Sequence, residues 1–316
     1  MRGGTTWQSL SRIVHQIKQT KKTIKLKHLT YNQIDFKKYD ECIQKSINSR
    51  IYALSWYLDE VTKHDWEILV LNDYKAVMPL PFKRVKRKFL KRMITQPFFC
   101  QQLGIFSLTE LDTVAFTLFT TQFFKFSIFN YHFNAFNTKA LSKGDNLKSN
   151  VNFELNLNKS YDELSKNYSK NLKRNIKKAT KENLTITDKV TISDFILMKD
   201  NTKKHQIKKQ QYTVMTNLLK VIQAKKMGSF YAVKHDDEFI AIAFFTKTST
   251  RLVHLFSTST TRGKEMGAIP FLFDTIIKEN ANTNRIFDFE GSMIKGVAQF
   301  FKSFGAIDIP YQITRL

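Results

Sequence analysis

Near the end of the chain, Asp288 and Glu290 stand two residues apart in the run DFEGSM, where a strand-like segment gives way to a helix. Alternation along a strand puts residues two apart on one face, so both carboxylates are expected to look the same way. A carboxylate at a strand end beside an apolar site can be tuned into a general base for an attacking amine. The structural alternative is that one of these acids, or Ser292, caps the following helix. In that helix Lys302 stands among Phe300, Phe301 and Phe304. An ammonium there could stabilise an oxyanion or hold a phosphate; otherwise its stem covers the aromatic rings.

A second constellation is TTRGKEMGA, which follows a strand and opens a helix. Backbone N–H groups at such a turn, with the helix dipole behind them, suit an anion. Gly263, Gly267 and Ala268 would let a pyrophosphate approach, and Arg262 and Lys264 add positive charge. An ordinary strand–helix turn that uses glycine for tight geometry explains the same letters. The third feature is the helix around SKNLKRNIKKA. Its stripe of Tyr168, Leu172, Ile176 and Ala179 leaves Lys170, Lys173, Arg174, Lys177 and Lys178 around the rest. Such a run is commonly a solvated face, but Arg174 carries a planar fork suited to bidentate phosphate contact, with Lys173 or Lys177 in support.

Other chemistries find no footing. The seven histidines show no HxH or HExxH spacing, and Cys42 and Cys100 form no CxxC pair, so no metal site or disulfide framework is indicated. GxSxG, GxGxxG and Walker A patterns are absent.

The elements that must position these residues are sketched by composition and pattern. The chain has 316 residues, 42% of them hydrophobic and 28 of them Phe, with only 10 Gly and 5 Pro. That length and composition favour two globular domains. The net charge of +24 has two readings: a compositional bias towards Lys, Asn, Ile and Phe, or an anionic, phosphate-bearing partner. No apolar run is long enough to cross a bilayer and no signal-peptide pattern opens the chain, which fits a cytoplasmic protein without stable membrane insertion. Residues 1–23 read as a flexible extension, although Trp7, Leu10, Val14 and Ile17 fall at helical spacing.

From residue 24 the pattern is mixed α/β. Helices are expected at Phe36–Ile47, Ser55–Val61, Thr109 to about Lys125, and Ser169–Glu182, with later ones near 210–226, from Pro270 to Ala281, and over KGVAQFFKSF. In the Thr109 helix Asp112 reads as a capping-box acid, and Leu111, Val114, Ala115, Leu118 and Phe119 as the buried stripe. Two long hairpins, WEILVLNDYKAVMPLPF and FYAVKHDDEFIAIAFFT, hold the same place in the element order of the two halves. That is the mark of a fold used twice, and it places domains at 24–158 and 159–316.

At these segments the chain resembles the FemAB-type branch of the GNAT N-acyltransferase superfamily, a group widespread in bacteria. The resemblance rests on YSKNLKRNIKKA with ENLTIT, on QYTVMTNLLKVIQ and chiefly on DFEGSMIKGVAQFFKSFGA, with IYALSWYLD, YKAVMPLPF and QPFFCQQLGIF in the first half. It implies an α/β (α+β) protein of two tandem GNAT-like domains, each a mixed central sheet flanked by helices, with the active site in the second. It also implies transfer of an acyl or aminoacyl group from coenzyme A or tRNA to an amine of a small or cell-envelope-precursor acceptor, with no tightly bound cofactor. Arg174 and Lys302 match motif positions that meet substrate, and Phe301 adjoins Lys302. Gln101 and Gln102 are offered to the site by the first domain. Glu290, or Asp288, would take the proton, and Lys302 with backbone N–H groups near the strand 251–258 would stabilise the oxyanion. The pyrophosphate loop of ordinary GNAT enzymes ends Gly-x-Gly/Ala, whereas Gly267 and Ala268 are adjacent here, so the donor stays open between coenzyme A and tRNA. Two rival readings are a basic nucleic-acid-binding protein, using KRVKRKFLKR and the lysine-rich helix, and a catalytically inactive GNAT-like scaffold.

Overall fold

The computed structural model describes residues 25–86, 89–138, 141, 147–202 and 208–315. The extension expected at 1–23 lies outside the described residues. Among the described residues no helix is long and apolar enough to cross a membrane.

The described chain divides into two compact units, residues 25–96 and 103–141 in the first and 97–102 and 147–314 in the second. This differs from the division expected at 158/159, because the strand Leu147–Asn156 pairs only within the second unit's sheet.

In the first unit β1 (Leu26–Leu29), β2 (Trp66–Leu71), β3 (Ala76–Val85) and β4 (Lys91–Thr95) run antiparallel in sequence order. The two-residue β5 (Phe106–Ser107) pairs with β3, and β6 (Ile128–His132) joins β4 in parallel. Helices α1 (Phe36–Lys45), α2 (Ser55–Thr62) and α3 (Thr113–Phe123) accompany the sheet. Helix α3 starts four residues later than expected, because Asp112 is itself the N-cap and accepts the Ala115 N–H at 2.7 Å. Its buried stripe is Ala115, Phe116, Phe119 and Phe123, while Val114 and Leu118 are exposed. The shifted start therefore comes with a rotated apolar face.

In the second unit β7 is Leu147–Asn156, followed by α4 (Tyr161–Lys166), α5 (Lys170–Lys181), β8 (Thr185–Thr187), α6 (Ile192–Asn201) and α7 (Lys209–Ala224). Then come β9 (Gly228–His235), β10 (Glu238–Lys247), β11 (Arg251–Ser259), α8 (Thr261–Glu265), α9 (Ala268–Glu279), β12 (Ile286–Asp288), α10 (Lys295–Lys302) and β13 (Ile307–Arg315). Strands β8, β9, β10 and β11 are antiparallel in order, and β12 joins β11 in parallel. That repeats the pairing of β1, β2, β3, β4 and β6, so the two hairpins read from the sequence occupy the same place in two like sheets. The second sheet is extended by β7, antiparallel to β12, and by β13, antiparallel to β7.

The second core lies between this sheet and helices α5, α9 and α10. Leu172, Ala179, Leu272, Phe273, Ile276, Phe287, Phe289, Phe301 and Phe304 are buried together there. Each fully buried Leu or Phe contributes roughly 1.5–3 kcal/mol. Ser169 starts α5 as its N-cap, accepting the Leu172 N–H at 3.2 Å, and the Leu172, Ile176, Ala179 stripe lays the helix on α9.

Candidate active site

The sheet parts at one place. Strands β11 and β12 pair only from Arg251↔Ile286 to Val253↔Asp288. Beyond that, β11 runs on to Ser259 with β10 on one side and no strand on the other among the described residues. A bulge falls at Leu255, since Phe244 faces Phe256 while the next residue, Phe245, faces His254. Bulges re-aim side chains and end pairing, and both happen here. On the other arm the chain leaves β12 sharply. Glu290 adopts φ 60° and Gly291 φ 54°. A Cβ on Gly291 would come within 2.4 Å of the Val151 carbonyl, so only glycine lets the chain cross β7 this closely.

Asp288 has no exposed surface. One of its oxygens accepts from Arg251 Nη1 at 2.9 Å; the other accepts the Asn152 side-chain amide and the Glu290 N–H, both at 3.0 Å. Arg251 also donates to Glu154, at 2.8 and 3.3 Å. Asp288 is thus an internal anchor, not the base that its position suggested. The expected common face of Asp288 and Glu290 does not form, because the left-handed turn ends the alternation at Asp288.

Glu290 is half-buried, and its surroundings come from the segment Pro97–Gln102 and from β13. Burial pushes the Cys100 thiol well up, with the Glu290 charge adding to the effect. Burial also raises the Tyr311 phenol, with Glu290 and Asp288 adding to it. The Gln101 side-chain amide donates to the Glu290 carbonyl and, at 3.3 Å, to Asn152 Oδ1. Gln102, fully buried, donates to Gln101 Oε1 at 2.7 Å. Phe99 meets Phe256 of β11 edge-on at 5.1 Å. The QPFFCQQ segment therefore borders the parted strands.

His254, the first β11 residue past the pairing, escaped the sequence reading because no spacing marks it. Its ring lies 4.6 Å from that of Phe273 and 5.7 Å from that of Phe245. Neither ring nitrogen makes a hydrogen bond of full geometry among the described residues, although the Phe289 backbone acts on the ring. Burial lowers its pKa to about 4, against the opposing pull of the Phe289 backbone and the Asp288 carboxylate. At neutral pH it is an uncharged imidazole in an aromatic setting.

Lys302 lies elsewhere, in a groove of about 490 Å³ lined by Ser169, Asn171, Asn175, Gln299, Phe300 and Ser303 among others; Glu290 is not part of this lining. Its ammonium pairs with Asp308 at 2.8 Å, both side chains being about half exposed, and lies 5.6 Å from the Phe153 ring centroid. Lys302 is paired with Asp308 in this groove, and Glu290 is not among the residues that line it. Phe301 is only 5% exposed and packs against Phe289, so it belongs to the core and not to a ligand surface.

Arg174 is exposed and donates to Asn171, a lining residue of the groove, at 2.8 Å. Lys173 and Lys177 face the opposite way, into a shallow depression with Lys166, Tyr161 and Tyr168. The lysines and Arg174 on this helix therefore serve two surfaces rather than one.

The TTRGKEMGA turn folds as the short helix α8. The N–H groups of Gly263, Lys264, Met266 and Gly267 all bond internally, to Thr260 Oγ1 and the carbonyls of Thr260, Arg262 and Lys264. Those four amides are committed, while a cavity of about 470 Å³ borders the turn at Ser259, Thr260, Thr261 and Lys264. A Cβ on Gly263 would meet the Ile240 carbonyl at 2.1 Å, so this glycine serves the packing of α8 on β10. Gly267, at φ 71°, turns the chain into Ala268 and α9. Arg262 is half exposed and lies 3.6 Å from Asp236.

No family model matches the chain, and no curated protein matches it in sequence. Solved structures do match its architecture. The crystal structure of FemX superposes with a TM-score of 0.64 at 11% identity, covering 90% of this chain and 96% of that one. The chain has the FemX fold. Similar, at lower scores, are the C-terminal domain described for a lysylphosphatidylglycerol synthetase from Agrobacterium fabrum (TM-score 0.54, 10% identity, 89% and 91% covered) and a protein of unknown function from Bacteroides thetaiotaomicron (0.53, 12%, 93% and 100%). The coverage spans both units, so the likeness to FemX is one of whole chains. At such identities it speaks for the architecture that positions the site.

Proposed function

We propose that this FemX-like protein is an acyl- or aminoacyltransferase working where β11 and β12 part. The observation that carries the reading is Glu290, an ionisable side chain held in a left-handed turn two residues past the end of β12. An acceptor amine attacks the carbonyl carbon of a thioester or ester, and the C–N bond forms as the carbonyl becomes an oxyanion. Glu290 takes the proton that the amine nitrogen sheds. The C–S or C–O bond to the donor then breaks, and the leaving thiolate or ribose oxygen takes up the proton that Glu290 received, which returns the carboxylate to its starting state. The edge of β11 beyond Val253, which no described strand pairs, is the candidate oxyanion partner. Lys302, with Arg174 beside the same groove, is assigned to an anionic part of donor or acceptor. Coenzyme A and aminoacyl-tRNA are the two donor classes.

The test begins with mass spectrometry of small molecules and RNA that co-purify with the native protein, which names the donor. Transfer from that donor is then compared between the wild type and Glu290→Gln. A rate loss of about a hundredfold or more is expected on removing a general base. Transfer at the wild-type rate would remove Glu290 from the mechanism.

A further inference from the structure

Both backbone polar groups of Glu290 are held by side chains. Its N–H donates to Asp288, and its carbonyl accepts from Gln101. The two holders are themselves joined through Asn152, which accepts from Gln101 on Oδ1 at 3.3 Å and donates from Nδ2 to Asp288 at 3.0 Å and to Glu154 at 3.2 Å. Arg251 closes the far end between Glu154 and Asp288, and Gln102 closes the near end on Gln101. The chain of contacts runs Gln102, Gln101, Asn152, Asp288, Arg251, Glu154 without a break, and Asn152, Gln102 and Asp288 have no exposed surface.

Burying one guanidinium and two carboxylates costs more desolvation than an apolar core of the same volume would, so stability alone does not account for the arrangement. A non-glycine residue in the left-handed region adds about 1–2 kcal/mol of strain at the same point. We infer that Gln101 and Asp288 are positioning residues, which clamp the Glu290 turn from its two sides and aim its carboxylate at the space beside Cys100 and Tyr311. The inference deepens the reading of Glu290 as the base and gives Gln101 a new role, holding the turn and not the substrate. It also gives the segment Pro97–Gln102 a reason to border the parted strands.

Cys100 is buried, so its alkylation reads the thiolate formed on local opening, and a nearby negative charge opposes that formation. Cys42, also buried, is the one other cysteine and serves as an internal control. The experiment is the pH dependence of iodoacetamide labelling at each cysteine, resolved by mass spectrometry, in the wild type, Glu290→Gln and Gln101→Leu. Glu290→Gln is expected to move the Cys100 profile to lower pH. Gln101→Leu should follow it, with Cys100 labelling at pH 9 faster by at least about threefold. Cys42 labelling should hold, while Tm falls in Gln101→Leu, because Asn152, Gln102 and the Glu290 carbonyl each lose a partner.

A Gln101→Leu profile that overlays the wild type while Glu290→Gln shifts would overturn the inference. So would a Glu290→Gln profile that does not move, because the carboxylate would then not face Cys100. If the leucine variant does not fold, Gln101→Met makes the same comparison. The catalytic reading stands or falls separately, on the transfer rate of Glu290→Gln.

Discussion

The guanidinium of Arg251 lies 2.9 Å from Asp288 and 2.8 Å from Glu154, and it is the cation that lets those two carboxylates face each other across paired strands. Like charges directly opposite in a sheet repel, and burial removes the water that would screen them. Arg251→Ala leaves both acids buried and uncompensated. It should cost about 3–5 kcal/mol in chemical denaturation. Arg251→Lys should recover only part of this, because an ammonium cannot span the two carboxylates with a planar fork. A loss under about 1 kcal/mol for the alanine variant would show that the three-residue cluster is not what ties β7, β11 and β12 together.

His254 makes stability depend on pH in a defined window. Its folded pKa, near 4, lies below the ordinary value of 6.5, so between those values the unfolded chain binds a proton at this site that the folded chain refuses. Folding stability is therefore lost as pH falls from about 6.5 towards 4, and this group contributes no further change below that. The full difference is worth roughly 3 kcal/mol. His254→Phe should flatten this part of the stability profile, measured by denaturation at pH 7, 5.5 and 4. An unchanged slope would place the titrating group elsewhere.

Much of the architecture was legible from hydrophobic periodicity. The three strands SFYAVKH, EFIAIAFFTK and RLVHLFSTS form as β9, β10 and β11, and Met215, Leu218, Leu219 and Ile222 are all buried on α7. Short-range pattern decides such elements. The site was less legible, because its key contacts join residues that the chain separates widely, such as Gln101 to Glu290 and Glu154 to Arg251. A non-glycine left-handed residue leaves no mark in the sequence, so Asp288 and Glu290 looked like neighbours on one face. Phe301 and Lys302 are adjacent on an amphipathic helix, and one step along it separates core from solvent.

Gly263 separates a packing role from a ligand-binding one. An added Cβ would strike the Ile240 carbonyl and come within 2.6 Å of Ser259 Oγ, so Gly263→Ala should destabilise the protein by about 1–3 kcal/mol through overpacking. The loss should be the same with and without donor. If stability instead held while donor affinity fell, the turn would regain its standing as an anion cradle.

Lys302 is the residue whose sequence role and structural setting differ most. Its pair with Asp308 is about half exposed on both sides, so Lys302→Ala should change stability by less than about 1 kcal/mol. Its assigned task is to hold an anionic part of a ligand in the groove with Asn171, Asn175 and Gln299. Binding of that kind is equal in ground and transition states, so the variant should raise KM for the groove's ligand about tenfold and leave kcat unchanged. Steady-state kinetics with the co-purifying donor, varied against acceptor, separates the cases. A fall in kcat at constant KM would mean that the ammonium acts on the transition state after all, and that the groove opens onto the reacting carbonyl.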